Sequence, residues 1–335
     1  MSGTKRINDD GDTDSVFTIL ALDGGGIRGL FAAAVLARLE DDHGVRVVDH
    51  FDLIVGTSTG AIIALGLGAG MTPAEIVELY LARKDEIFPP ARRRIWRKPA
   101  ALVRAKYRPD GLAAAVGDAF GDMRLCESTV PLVISSFDLG QRAVHLFKTP
   151  HHERLVRDWR VRMSDVAMAA TAAPTYFPAY ELPDDHARLV DGGVWANNPS
   201  TVGVTEAVSL MGQRLGDIRL LNVGTTSSTQ VRSRRLDKGG LWHWVRSPNV
   251  VDVLLAGQAI GAFNTAQHLI GPDNAWRLDP PAPPELVQLD RADARDLIGA
   301  AAHHSRKFGP TFTEHFASHA RHLYRPLHTR KDLDR

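Results

Sequence analysis

Six of the seven residues Val16-Phe17-Thr18-Ile19-Leu20-Ala21-Leu22 are apolar and none is charged, directly after fifteen mostly polar residues. A run this short and apolar, closed by glycines, predicts a strand buried on both faces. A glycine-rich turn follows, then a helix-like run from Leu30 to Glu40. Asp52-Leu53-Ile54-Val55 repeats the arrangement, with a second glycine-rich turn and a helix from about Ala61. Thr72, Pro73 and Glu75 then stand at the N-cap, N1 and N3 positions of a helix through about Leu81. Further strands are expected at 130–137, 144–147, 189–190 and 218–223, and helices near 164–172, 201–210 and 250–269, with two more toward the C-terminus. Strands alternating with helices predict an α/β chain, a three-layer α/β/α sandwich with a mostly parallel central sheet.

Two segments break the rhythm. Residues 83–108 hold ten basic residues, among them Arg92, Arg93 and Arg94, against Asp85 and Glu86, with Ile95 and Trp96 embedded. Residues 230–248 mix five basic residues with Trp242 and Trp244. Both read as insertions (83–110 and 230–248) into one domain spanning 16–335, after a flexible tail at 1–15. The proline-rich run 279–284 reads as a stiff connector.

Composition narrows the function. Forty Lys and Arg against thirty-nine Asp and Glu give a net charge of +1, so the chain is not built to coat a nucleic-acid polymer. The one cysteine, Cys126, forms neither an internal disulfide nor a cysteine-rich zinc site, which fits a reducing, cytoplasmic setting. No signal-like h-region opens the chain. The longest apolar stretch, Ala61 to Met71, is eleven residues with three glycines, short of the roughly 20 that span a bilayer. A membrane contact would be peripheral. The basic segment at 83–108 is open to several readings: a solvated face, a surface for self-association into a homo-oligomer, a headgroup-binding face, or a phosphate site for a nucleotide activator.

Gly24, Gly26 and Gly29 satisfy G-x-G-x-x-G between a strand and a helix. The dinucleotide reading also requires an acidic residue at the end of the next strand, and that strand ends in Val55-Gly56-Thr57-Ser58. A P-loop fails because Leu30 stands where lysine is required. The loop can instead offer backbone N–H groups to a bound or developing anion, with Arg28 adding charge or bracing it. A glycine turn that only packs helix on strand is the plainer alternative.

Gly56-Thr57-Ser58-Thr59-Gly60 matches G-x-S-x-G at a strand-to-helix junction, the context in which a serine is projected above a sheet as a nucleophile. A serine needs a base. His243, His268 and His303 follow in the order of common hydrolases, but none sits in a distinctive motif. His303, His304, His315 and His319 read as a solvated face with no acid placed to complete a metal site. The other option is Asp191 in Leu189-Val190-Asp191-Gly192-Gly193, again at a strand end. A carboxylate with an ordinary pKa of about 3.9 is a poor base for an alcohol, so this option demands desolvation. A nucleotide- or anion-binding regulator without hydrolase activity stays open beside it.

Together, Asp23-Gly24-Gly25-Gly26-Ile27-Arg28-Gly29, the serine elbow and Asp191-Gly192-Gly193 resemble the patatin-like phospholipase family in sequence and order. Ala173-Pro174, Phe177-Pro178 and Asn197-Asn198-Pro199 look like that family too, and the resemblance runs over roughly residues 17–225. It implies a patatin-like sandwich and acyl-ester hydrolysis of membrane phospholipid. Ser58 would be the nucleophile, Asp191 its base, and the amides of Gly24, Gly25 and Gly26 the oxyanion hole, with Arg28, Gly56, Gly60, Gly192 and Gly193 in support. No cofactor or metal enters that chemistry. Some family members are bacterial anti-phage effectors silent until a cyclic oligonucleotide binds, a role this layout is compatible with, acting from the cytoplasm on the inner face of the membrane.

Overall fold

In the computed structural model, residues 16–89, 105–228, 249–282, 290 and 292–333 are described. The tail at 1–15, Arg92 to Trp96 of the first basic segment, and Trp242, His243 and Trp244 of the second lie outside the described residues.

The predicted first strand is β1 (Phe17–Leu22), and its side chains alternate between two cores. Leu20 and Leu22 pack with the helices on one side of the sheet, Phe17, Ile19 and Ala21 with those on the other. This two-sided burial is why the run has no polar face. Beside it lie β2 (Leu53–Thr57) and β7 (Ile218–Val223), both parallel to β1. β3 (Leu132–Asp138) is parallel to β2, and β9 (Ala275–Leu278) is parallel to β7.

The parallel order gives way at β3. β4 (Ala143–Lys148) runs antiparallel along one edge of β3 from Val133 to Asp138. β2 pairs with β3 as far as Thr57 opposite Ser135, and β6 (Arg188–Asp191) pairs antiparallel with Ser136 to Asp138. A strand residue has two ladder edges, so β2 and β6 must share the remaining edge of β3 in succession, end to end. β5 (Tyr180–Glu181) extends β6, and β8 (Ser227–Ser228) pairs with β10 (Pro281–Ala282) in a separate two-stranded sheet. Pro281 and Ala282 of the expected connector are therefore a short strand.

Helices cover both faces, as expected. One side holds α1 (Gly29–His43), α2 (Thr59–Gly68), α3 (Pro73–Ile87), α4 (Asp110–Phe120) and α5 (Met163–Ala170). After the single turn α6 (Gly193–Ala196), α7 (Ser200–Ser209) and α8 (Asn249–Ile270) cover the other, while α9 (Ala294–Phe312) packs against α1. Every residue of α2 is buried, which matches a sequence without a polar residue after Thr59. The capping box at Thr72 and Glu75 forms as predicted, but α3 continues six residues past Leu81, to Ile87. Ile87 is buried and Arg83 pairs with Glu86 and Asp118, contacts that a pattern of basic residues does not reveal.

The second expected C-terminal helix is absent among the described residues. After α9 and a turn of π-helix (Thr313–Ala317), the chain runs irregularly to a 3-10 turn at Arg330–Asp332, against residues that flank β2, β3 and β4. The Arg321 amide donates to Asp49 O at 2.9 Å and the Leu327 amide to Pro150 O at 2.9 Å. His319 and His322 lie 2.8 Å from Asp52 Oδ2 and Oδ1, so the solvated-face reading of His319 is corrected: its partner lies 267 residues earlier. His315 stacks on Trp276, which corrects the same reading there.

Candidate active site at the end of β2

β2 ends at Thr57, and the chain turns sharply into α2. Ser58 sits at that turn with φ 53° and ψ −122°, a conformation that costs of order 1–3 kcal/mol and persists only where its surroundings enforce it. The enforcement is visible at the flanking glycines. A methyl on Gly56 would lie 2.5 Å from Gly60 O, and one on Gly60 would lie 2.3 Å from Leu22 O. Thr57 Oγ1 donates to Ala196 O at 2.6 Å and is hydrogen-bonded to Ser135 Oγ, tying the turn to β3 and α6. Tyr80, from α3, hydrogen-bonds to the Thr59 hydroxyl and donates to Thr59 O at 3.1 Å.

Asp191 arrives from the opposite direction, at the end of β6. Its ladder partner Ser136 is the residue after Ser135, the partner of Thr57. Ser58 and Asp191 are therefore set face to face by adjacent residues of β3. Ser58 Oγ donates to Asp191 Oδ2 at 2.5 Å, and the Gly193 amide donates to Oδ1 at 2.7 Å. Gly192 presses on β3 so closely that a methyl there would meet Ser135 O at 2.5 Å. Asp191 is 4% exposed, and burial pushes its carboxyl up to about 6, against the pull of the Ser58 and Gly193 hydrogen bonds. The desolvation that the sequence demanded of this carboxylate is present. Among the described residues no histidine bonds to either side chain: His303 and His268 are exposed on α9 and α8.

The glycine loop packs beside the turn. Gly26 has φ 60°, a left-handed conformation suited to glycine. The amides of Gly25 and Gly26 find no acceptor among the described residues, whereas the Gly24 amide donates to Asn197 O at 2.9 Å. This corrects the expected trio of donors, because the Gly24 hydrogen is already engaged in holding the loop to α6. Arg28 braces the loop, its guanidinium donating to Gly25 O at 3.2 Å and to Thr226 O at 2.9 Å.

Beneath the loop lies a buried polar network that motif reading missed. Asp23 accepts from Asn222 at 2.6 Å and pairs with Arg277 at 2.9 Å, and Arg277 also reaches Asp279 at 2.7 Å. Burial pushes the Asp23 carboxyl up to about 6 despite the Arg277 charge. Arg277 comes from β9, a four-residue strand with no motif around it.

Three potential metal ligands, Asp52, His319 and His322, converge at the opposite end of β2. Both Asp52 oxygens are already engaged there, by the two imidazoles, the His322 amide, and the amide and hydroxyl of Thr18. Burial alone would raise this carboxyl, but hydrogen bonds from His319, Thr18 and His322 hold it below the ordinary range. The arrangement is a latch for the C-terminal segment.

A strained serine bonded to a desolvated carboxylate, beside two backbone amides with no acceptor among the described residues, is equipped to attack a carbonyl and hold the resulting oxyanion. A family model described as patatin-like phospholipase matches residues 20–202. The cGAMP-activated phospholipase of Vibrio cholerae is 32% identical over 333 residues, covering 89% of this chain and 92% of that protein. The cGAMP-activated phospholipase of Pseudomonas aeruginosa is 34% identical over 294 residues, covering 85% and 84%. Patatin-like protein 4 of Arabidopsis thaliana is 34% identical over 212 residues, covering 57% and 52%. The two bacterial matches extend well past residue 225, where the motif resemblance thins. Motifs, fold and alignment agree, and the chain belongs to the patatin-like phospholipase family of lipid acyl hydrolases.

Proposed function

We propose that this protein cleaves acyl esters of membrane phospholipids, with Ser58 as nucleophile and Asp191 as its base. The observation that carries the reading is the 2.5 Å hydrogen bond from Ser58 Oγ to a buried carboxylate. With its carboxyl raised to about 6, Asp191 is still mostly ionised at pH 7 and is better matched to accepting the serine proton than an ordinary aspartate. As Ser58 Oγ bonds to the ester carbon its proton moves to Asp191 Oδ2, and the carbonyl oxygen gains negative charge facing the Gly25 and Gly26 amides. Collapse breaks the carbon–oxygen bond to the leaving alcohol, which takes the proton from Asp191. Water then attacks the acyl-enzyme, Asp191 accepts its proton and returns it to Ser58, and the fatty acid departs.

The names of the two bacterial relatives support a cyclic dinucleotide of the cGAMP type as activator. We place the enzyme in the cytoplasm, working peripherally on the inner face of the membrane, where activator and phospholipid meet. The test is mass spectrometry of lipid products from phospholipid vesicles, with and without cGAMP, for the wild type and Ser58→Ala. Release of fatty acid and lysophospholipid by the wild type, rising with cGAMP and absent from a folded Ser58→Ala, is expected. Turnover by Ser58→Ala would overturn the nucleophile, and activity indifferent to cGAMP would overturn the activator.

A further inference from the structure

We infer that the side chain of Asn197 is a further catalytic residue, donating a third hydrogen bond to the oxyanion. The inference rests on the reading of Ser58 as nucleophile and adds a residue to that site. The backbone of Asn197 is fully used: its amide donates to Gln258 Oε1 of α8 at 2.7 Å, and its carbonyl accepts from Gly24 at 2.9 Å. The carboxamide is not. It makes no hydrogen bond among the described residues, and the residue is half-buried.

Its position is fixed by two glycines. A methyl built on Gly24 would lie 2.5 Å from Asn197 Oδ1 and 3.2 Å from Ser58 Cβ. A methyl on Gly193 would lie 3.1 Å from Asp191 Oδ1 and 3.4 Å from Asn197 Oδ1. The carboxamide thus stands between the glycine loop and both members of the Ser58–Asp191 pair, in space that exists because residues 24 and 193 lack side chains. Oxygen and nitrogen of an asparagine exchange places by rotation about the last torsion, so the same spot presents an N–H₂ donor. The logic of the donor set points the same way. By accepting the Gly24 hydrogen, Asn197 leaves the loop with two unengaged amides, and its own side chain supplies the missing third.

Asn197→Ala removes the carboxamide while keeping the backbone bonds to Gln258 and Gly24, so it separates chemistry from bracing. On p-nitrophenyl butyrate and on ethyl butyrate, kcat is expected to fall about 100- to 1000-fold, the usual loss for one oxyanion donor, with KM within about threefold. Inhibition by a trifluoromethyl ketone, whose serine adduct carries the oxyanion, should weaken by a similar factor. Asn197→Asp, the same shape without a donor, should share the loss and decides the matter if the alanine variant does not fold. A kcat within about threefold of wild type in either folded variant overturns the assignment. So does a loss confined to ethyl butyrate, which would put the carboxamide at the leaving group. With Ser58→Ala assayed alongside, a dead serine variant and a live Asn197→Ala reject Asn197 alone, whereas a live Ser58→Ala rejects the nucleophile and this inference with it.

Discussion

Asp191→Asn is expected to make the protein more stable at pH 8 and no more stable at pH 4. The Asp191 carboxyl is pushed by burial from 3.8 in its ordinary state to about 6 in the folded protein. Between those values the folded protein still holds a proton that the unfolded chain has released, so folding loses ground as pH rises. The penalty is absent below about pH 4, grows by about 1.4 kcal/mol per pH unit and is complete above about pH 6, where a shift of about two units amounts to about 3 kcal/mol. Asparagine keeps the shape, can still accept from Gly193 at Oδ1 and can donate to Ser58 Oγ from Nδ2. Urea unfolding of both proteins at unit steps from pH 4 to 8 gives the difference directly. Asp23, raised to about 6 as well, is common to both proteins and cancels. A difference that stays flat with pH, or an asparagine variant less stable at pH 8, refutes the desolvated base.

Gly25→Ala puts a methyl 2.1 Å from Thr225 Oγ1, which must displace the loop, and kcat on a soluble ester should fall about 100- to 1000-fold; near-wild-type turnover removes the loop from the oxyanion hole. The kcat/KM of the wild type should decline below about pH 6, to about one-tenth of its plateau at pH 5, while a profile flat down to pH 4.5 contradicts Asp191 as base. Asp52→Asn leaves the buried amide and hydroxyl of Thr18, the mostly buried His319 and the exposed His322 facing an amide, and should cost about 1–3 kcal/mol of stability by denaturant titration without changing turnover of a soluble ester. Because the Asp52 carboxyl is held low, its contribution is present above the ordinary carboxylate range and is lost as pH falls through the lowered value, so that difference should shrink in acid.

The parts of this site that the sequence announces are those built from consecutive residues. Ser58 and Asp191 each stand just past or at the end of an apolar strand, Ser58 between Gly56 and Gly60 and Asp191 before Gly192, so strand, turn and residue are legible together. The donor status of Gly24 is not, because it depends on a carbonyl 173 residues later, at Asn197. Arg277 carries no local signal for a similar reason: four residues at a sheet edge hold too little pattern to mark a strand, and its partners Asp23 and Asn222 meet it only in the folded sheet. Asn197-Asn198-Pro199 is visible as a motif, but no local rule says which of the two asparagines lies beside Gly24. Asn198 turns away and donates to Asn222 at 3.0 Å. The partner of His319 is hidden because its spacing of four from His315 suggests one helical face toward solvent, whereas the helix ends before it.

The head-to-tail placement of β2 and β6 along β3 makes strand alignment a condition of turnover. Side chains alternate across a sheet, so sliding β6 by one residue along β3 would swing the Asp191 carboxylate to the far face and leave Ser58 without a partner. Only three ladder pairs hold β6 to β3, and two more hold it to β5. An insertion or deletion within 188–191 would therefore silence the enzyme while leaving every side chain of the pair intact, and an enzyme built this way is calibrated by its hydrogen-bond ladder as much as by the identity of its reacting groups.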